Sequence, residues 1–202
     1  MQKIVLATGN KGKTAELQEL LEGLPIELIT QTDLNIANVE ETGFTFVENA
    51  ILKARNASRL SGLPALADDS GLSVDCLGGA PGVFSARYAG AGAKDSDLIA
   101  KLLKEMQTVD CENRKARFHC ALVLFTYPAD PAPIICQGVW EGEILPYARG
   151  RHGFGYDPVF YVPSHDCTAA EMDPSEKNRI GHRGRAMDQL LKILRESGIK
   201  VL

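Results

Sequence analysis

Asp68 and Asp69 stand side by side where the run LPALA, residues 63–67, gives way to Ser70 and Gly71. Aspartate and serine side chains hydrogen-bond nearby backbone and glycine permits a left-handed conformation, so by local chemistry D-D-S-G reads as a turn between two short strands, PALAD and LSVDCL. A chemical reading stands beside it. If the loop bearing Glu40 and Glu41 lies against that turn, the acids form a hard oxygen site suited to magnesium, which takes a few carboxylates, retains waters and accepts phosphate oxygens. Such an ion would neutralise phosphate charge and help ionise a water, with one carboxylate left to take the proton.

A second group, Thr8, Gly9, Asn10, Lys11, Gly12 and Lys13, lies between a strand-like run and a helical one. A helix that starts at a glycine turn presents backbone N–H groups and a positive dipole end, and Lys13 adds a formal charge there, so an anion such as phosphate is favoured. It is not a Walker A loop, because Ala7 stands where that motif needs glycine. The alternative is a plain strand-to-helix turn with a surface lysine.

The third constellation lies towards the C-terminus. In FGYDP, Phe154 offers a ring for a base to stack on, Gly153 and Gly155 let backbone approach a ligand, and Tyr156 and Asp157 follow. Lys177, His182 and Arg183 supply donors just before a final helical segment, where a solvated basic turn is the plainer reading. His119, His152 and His165 have no H-x-x-x-H or C-x-x-C company, and no G-x-S-x-G elbow is present, so zinc and serine-hydrolase chemistry are disfavoured.

The elements that must position these groups can be read from periodicity. KIVLAT is a strand, followed by the helix KTAELQELLEGL with Leu17, Leu20, Leu21 and Leu24 at helical spacing, and IELIT is a second strand. Thr45 and Glu48 form a capping box for a helix with Val47, Ile51, Ala54, Ala57 and Leu60 on one face, stopped by Gly62. GGAPGVFSARYAGAG is a long glycine-rich loop, and Ser96 is placed to cap the helix DLIAKLLKEMQ. ARFHCALVLFTY alternates apolar residues on both faces, as a central strand covered on both sides would. PIICQGVWEGEI and VFYV read as further strands, and RGRAMDQLLKILRES as a helix with Leu190, Leu191 and Leu194 inward. The expectation is an α/β fold, one domain over 1–202, with a long mixed β-sheet flanked by helices and two lobes enclosing an active-site cleft.

Composition is that of a globular protein: 202 residues, 45% hydrophobic and 24% charged, with net charge −4. An acidic balance disfavours a nucleic-acid polymer as partner, so any phosphate contact must be local. Five cysteines without paired spacing read as mostly buried thiols in a reducing compartment. The apolar run Ile4–Ala7 is too short for a signal-peptide core and no segment approaches a membrane span, so the cytoplasm is expected.

Taken in order, TGNKGK, EETGFTFVENAILKA, ADDSGL, LGGAPGVFSARYAG, FGYDPVF and EKNRIGHRGRA resemble the inosine triphosphate pyrophosphatase family over nearly the whole chain. The resemblance implies magnesium-dependent hydrolysis of deaminated purine nucleoside triphosphates (ITP, dITP and XTP) to the monophosphate and pyrophosphate, usually by a homodimer. Thr8 to Lys13 would hold the triphosphate and Lys53 would add a cation. Asp69 would accept the proton of water, with Glu41, Asp69 and Asp68 at the metal. Ser70 would touch substrate, Phe154, Gly155, Tyr156 and Asp157 would stack and orient the purine, and Lys177, His182 and Arg183 would close on the base. Where the family often has serine before its His-Arg pair, this chain has Gly181. Because successive residues of an extended chain face opposite ways, Glu41 is a better partner for Asp69 than Asp68 is. Two other readings stay open: a Maf-like pyrophosphatase acting on pyrimidine or modified nucleotides, and a nucleotide-binding regulator without turnover.

Overall fold

The computed structural model describes residues 2–108 and 113–197. In chain order the elements are β1 (Gln2–Leu6), α1 (Lys11–Leu20), β2 (Ile26–Thr30), α2 (Phe46–Ser61), β3 (Ala65–Val74), α3 (Asp95–Glu105), β4 (Lys115–Phe125), β5 (Ile134–Ile144), β6 (Phe160–Val162), β7 (Cys167–Thr168), α4 (Pro174–Ile180) and α5 (His182–Ser197). One sheet holds the strands in the order β2-β1-β3-β4-β5-β6-β7. It is mixed, as expected: β1 runs parallel to β2, with Gln2 opposite Ile26 and Leu6 opposite Thr30, and parallel to β3, while β6 is antiparallel to both β5 and β7. No helix among the described residues is long and apolar enough to cross a membrane.

The chain divides into two compact units whose boundary falls within β3, β4, β5 and the start of α5. The first comprises Met1–Asp69, Cys120–Gly138 and Arg183–Leu202; the second comprises Ser70–His119 and Val139–His182. In the first unit the alternation along the strands sorts side chains into two cores. Ile4 and Leu6 of β1, Leu66 of β3 and Leu122 and Leu124 of β4 pack with Leu17 of α1 and Leu190 and Leu194 of α5. Val5, Ala7, Ala65, Ala67, Ala121 and Val123 face the other way, onto Ala50, Ala54 and Ala57 of α2. From Cys120 to Phe125 both faces of β4 are apolar and buried, as the pattern predicts, whereas Arg117 and His119 nearer its start are half-buried. The second unit has a core of larger rings and chains, including Leu102, Phe118, Trp140 and Phe160.

Several local expectations need correction. D-D-S-G is no turn: β3 runs unbroken from Ala65 to Val74 through all four residues. The local hydrogen bonds that favour a turn lose because both carboxylates find cations on other elements, as described below. α1 starts at Lys11 rather than Lys13, because Asn10 is its cap and accepts the Lys13 N–H, and it ends at Leu20, leaving Leu24 beyond it. α3 begins at Asp95, so Ser96 lies inside it, and the Asp97 carboxylate accepts the Lys94 N–H. On α2 the Thr45–Glu48 capping box and the left-handed Gly62 stop are present, but Leu60 is exposed and Ala50 takes its place on the buried face. Cys120 and Cys136 are buried, Cys167 is half-buried and Cys76 exposed; Cys111 lies outside the described residues.

Candidate active site

The parity of β3 decides where its two acids go. Asp68 continues the face of Leu66, towards α1 and α5, and is fully buried. Lys13 of α1 reaches its Oδ1 at 2.6 Å, and Arg183 of α5 donates from Nε to Oδ2 at 2.9 Å. Arg183 also bonds Glu16 of α1 through Nη1, and the Cys120 thiol donates to Asp68 Oδ2 at 3.1 Å. Burial alone would raise the Asp68 pKa, but the charges of Arg183 and Lys13 outweigh it and hold the carboxyl well below the usual aspartate range. Burial likewise works to lower Arg183, and Asp68 and Glu16 outweigh it. The Cys120 thiol, buried beside a carboxylate, is pushed well up and stays protonated.

Asp69 continues the opposite face, that of Ala65 and Ala67, towards α2. There the Lys53 ammonium touches Asp69 Oδ1 at 2.5 Å and Glu41 Oε1 at 2.8 Å. The Glu41 side chain, 29% exposed, is the open side of this group. Burial raises the Asp69 pKa, and Lys53 and Lys13 offset that only in part, so the carboxylate is more basic than an ordinary aspartate. Lys53 is raised despite its own burial, because Asp69 and Glu41 favour its charged form.

The loop before α1 is held by its own polar groups. Thr8 Oγ1 accepts the Asn10 N–H at 3.2 Å, and Asn10 Oδ1 accepts the Lys13 N–H at 3.1 Å. Lys11, Gly12 and Lys13 thus form the first helical turn, where the dipole favours an anion. Gly9 packs against the Asn38 amide, 3.4 Å from where a Cβ would stand.

In the second unit, Asp157 Oδ2 accepts the Phe154 N–H at 2.9 Å and the Lys177 ammonium at 2.6 Å. That ammonium stands 4.9 Å from the centroid of the half-buried Phe154 ring, within cation–π range. Gly153 has φ +75°, and a Cβ there would lie 2.1 Å from Asp157 Oδ2, so glycine is required for the loop to close on its acid. Gly155 N–H donates to Asp95 at 2.7 Å. Tyr156 is buried, and its hydroxyl donates to the Ser85 carbonyl at 2.9 Å. His182 is buried and stacks on Phe118, centroids 4.8 Å apart and planes 14° from parallel.

Over residues 4–193 the sequence matches the model of the Ham1 family. The chain belongs to the Ham1 family. A protein named dITP/XTP pyrophosphatase from Coxiella burnetii is 57% identical over 98% of each chain, and one of the same name from Vibrio cholerae is 52% identical over 97% of this chain and 98% of its own. Among solved structures, a HAM1 protein from Coxiella burnetii superposes with TM-score 0.90 at 57% identity, covering 97% of this chain and 100% of its own. A nucleoside-triphosphatase/dITP/XTP pyrophosphatase from Mycobacterium abscessus gives 0.76 at 42% identity over 94% and 99%.

Within this Ham1 chain the expected site residues fall into named groups. Lys13, Asp68 and Arg183 share one cluster and Glu41, Lys53 and Asp69 another, both in the first unit; Phe154, Asp157 and Lys177 form a third in the second unit. Arg183, expected at the base, is engaged by Asp68 and Glu16, while Tyr156 and His182 are built into the second unit's core. Ser70 is half-buried on β3. At Gly181 a Cβ would meet the Lys177 carbonyl oxygen at 2.6 Å, so this backbone favours glycine over serine. Sequence reading missed Glu16 and Cys120, whose spacing serves a helix and a strand equally well without them. It also missed α4, which Asp173 and Pro174 signal as N-cap and first-turn proline.

Proposed function

We propose that this chain hydrolyses deaminated purine nucleoside triphosphates (dITP, ITP and XTP) to the monophosphate and pyrophosphate, using magnesium. The observation that carries the reading is the Lys53 ammonium held between Glu41 and Asp69. A cation already bridges two hard carboxylates there, and such a carboxylate pair is what magnesium takes alongside waters and phosphate oxygens. When bound, magnesium would draw charge from the phosphates and lower the pKa of a coordinated water. Asp69, made more basic by burial, takes a proton from the attacking water. The water oxygen forms a bond to phosphorus, the anhydride between the α and β phosphorus atoms breaks, and its electron pair leaves on the departing group. Lys13 and the first turn of α1 hold the triphosphate, with Lys53 adding charge.

On the base, Phe154 supplies a stacking face and Lys177 the donor. A 6-keto oxygen accepts a hydrogen bond from an ammonium, whereas the 6-amino group of adenine would meet donor with donor. Relatives named dITP/XTP pyrophosphatase support this substrate class. The resemblance adds a homodimer and a cytoplasmic setting; light scattering on purified protein tests the first.

Pyrophosphate release from dITP, XTP, dATP, dTTP and UTP, each with and without magnesium, tests the reading. Release from dITP and XTP only with the ion is expected. Release from a pyrimidine triphosphate without any from dITP would favour Maf-like chemistry, and tight binding without release from any would favour a regulator.

A further inference from the structure

The loop that carries Glu41 is fastened to α2 by three consecutive backbone N–H groups. Phe44 and Thr45 donate to Glu48 at 2.9 Å each, which is the reach of an ordinary capping box. Gly43 donates to Asn49 Oδ1 at 2.8 Å, and no capping box requires that. Asn49 is fully buried in the helix, an expensive place for an amide unless its atoms are satisfied. Its Nδ2 turns to the Gly43 carbonyl at 3.4 Å, a longer and weaker contact, so both ends of the amide address one residue. Gly43 has no room for a side chain: a Cβ would stand 2.6 Å from Glu48 Cβ and 2.7 Å from Asn49 Oδ1.

Asn49 and Lys53 are four apart on α2 and therefore share a side of it. Lys53 holds the carboxylate of Glu41 while Asn49 holds the backbone two residues further on. We infer that Asn49 is a positioning residue: its amide clamp on Gly43 fixes the Glu41 loop so that the Glu41 carboxylate meets Asp69 in one geometry for a divalent cation. This rests on the reading of Glu41 and Asp69 as cation ligands. Partners that orient a ligating group commonly change metal affinity by about 10- to 100-fold when removed.

The test is a titration of nucleotide-free protein with Mn2+, read by electron paramagnetic resonance, on the wild type, Asn49→Ala, Gly43→Ala and Glu41→Gln, with urea unfolding alongside. Asn49→Ala and Gly43→Ala are each expected to bind Mn2+ about tenfold more weakly. The Mn2+ needed for half-maximal dITP hydrolysis should rise in step while turnover at saturating Mn2+ returns close to wild type. Gly43→Ala leaves Asn49 in the core and displaces only the loop, so it decides the matter if Asn49→Ala does not fold. Lowered unfolding midpoints with wild-type Mn2+ affinity in the folded variants would overturn the positioning role alone. A Glu41→Gln protein that binds Mn2+ as the wild type does overturns the cation reading itself, and this proposal with it.

Discussion

Two clusters on opposite faces of one strand hold neighbouring carboxylates in opposite circumstances. On the α1 and α5 face, Asp68 meets Lys13 and Arg183, Arg183 also meets Glu16, and Asp68 is fully buried with cations on both oxygens. On the α2 face, Glu41 and Asp69 outnumber Lys53, and Glu41 opens to solvent. These pairs tie α1, β3 and α5 to one another through Asp68, while Lys13 keeps some exposure. A group with an open side and a carboxylate made basic by burial is where the proposed function would place a cation and a water proton. Under the proposed function the difference gives the chemistry to Asp69 and leaves Asp68 joining elements of the fold, although they are adjacent and identical in type.

The largest effect that separates them is expected at Asp69. Asp69→Asn keeps the shape and removes the proton acceptor, so kcat for dITP should fall about 100- to 10,000-fold. Turnover within a few-fold of wild type would remove Asp69 from the role of base. Asp68→Asn should act instead on stability. Leaving Arg183 and Lys13 buried without their shared anion costs on the order of 3–5 kcal/mol, read as a lower urea midpoint at neutral pH. The folded pKa of Asp68 is depressed, so its contribution is fully present above the ordinary aspartate pKa and is lost as pH falls through the depressed value. The stability gap between wild type and Asp68→Asn should therefore hold constant at neutral pH and narrow in acid below the ordinary aspartate range. A gap that widens in acid would contradict the ion-pair account.

The contrast was partly legible in residue order. Alternation in an extended chain already separates Asp68 from Asp69, and IELIT, the Thr45–Glu48 box, Gly62 and the two-faced pattern around Cys120 to Phe125 all appear where periodicity and capping chemistry place them. D-D-S-G forms strand and not a turn because local propensity is weak against two ion pairs made across some 16 and 115 residues of sequence, Lys53 to Asp69 and Arg183 to Asp68. Such partners leave no periodic trace. Glu16 looks like any exposed helix acid until Arg183 is folded onto it, and nothing in the residue order announces that the Arg183 guanidinium also meets Asp68. In the second unit, the burial of Tyr156 and His182 and their contacts with Ser85 and Phe118 are likewise not announced by residue type.

The smallest expected effect probes what besides cations holds Asp68. Cys120 donates its thiol to Oδ2 from the neighbouring strand, and burial beside that carboxylate keeps the thiol protonated. Cys120→Ala removes this donor and a little packed volume, which should cost about 1 kcal/mol of stability. Cys120→Ser replaces it with a hydroxyl, a stronger donor of nearly the same size, and should recover most of that loss. If the thiol matters through Asp68, the difference between the alanine and serine variants disappears in an Asp68→Asn background, a double-mutant cycle measured by urea unfolding. A difference that persists there would mean that Cys120 acts by filling space and not through Asp68.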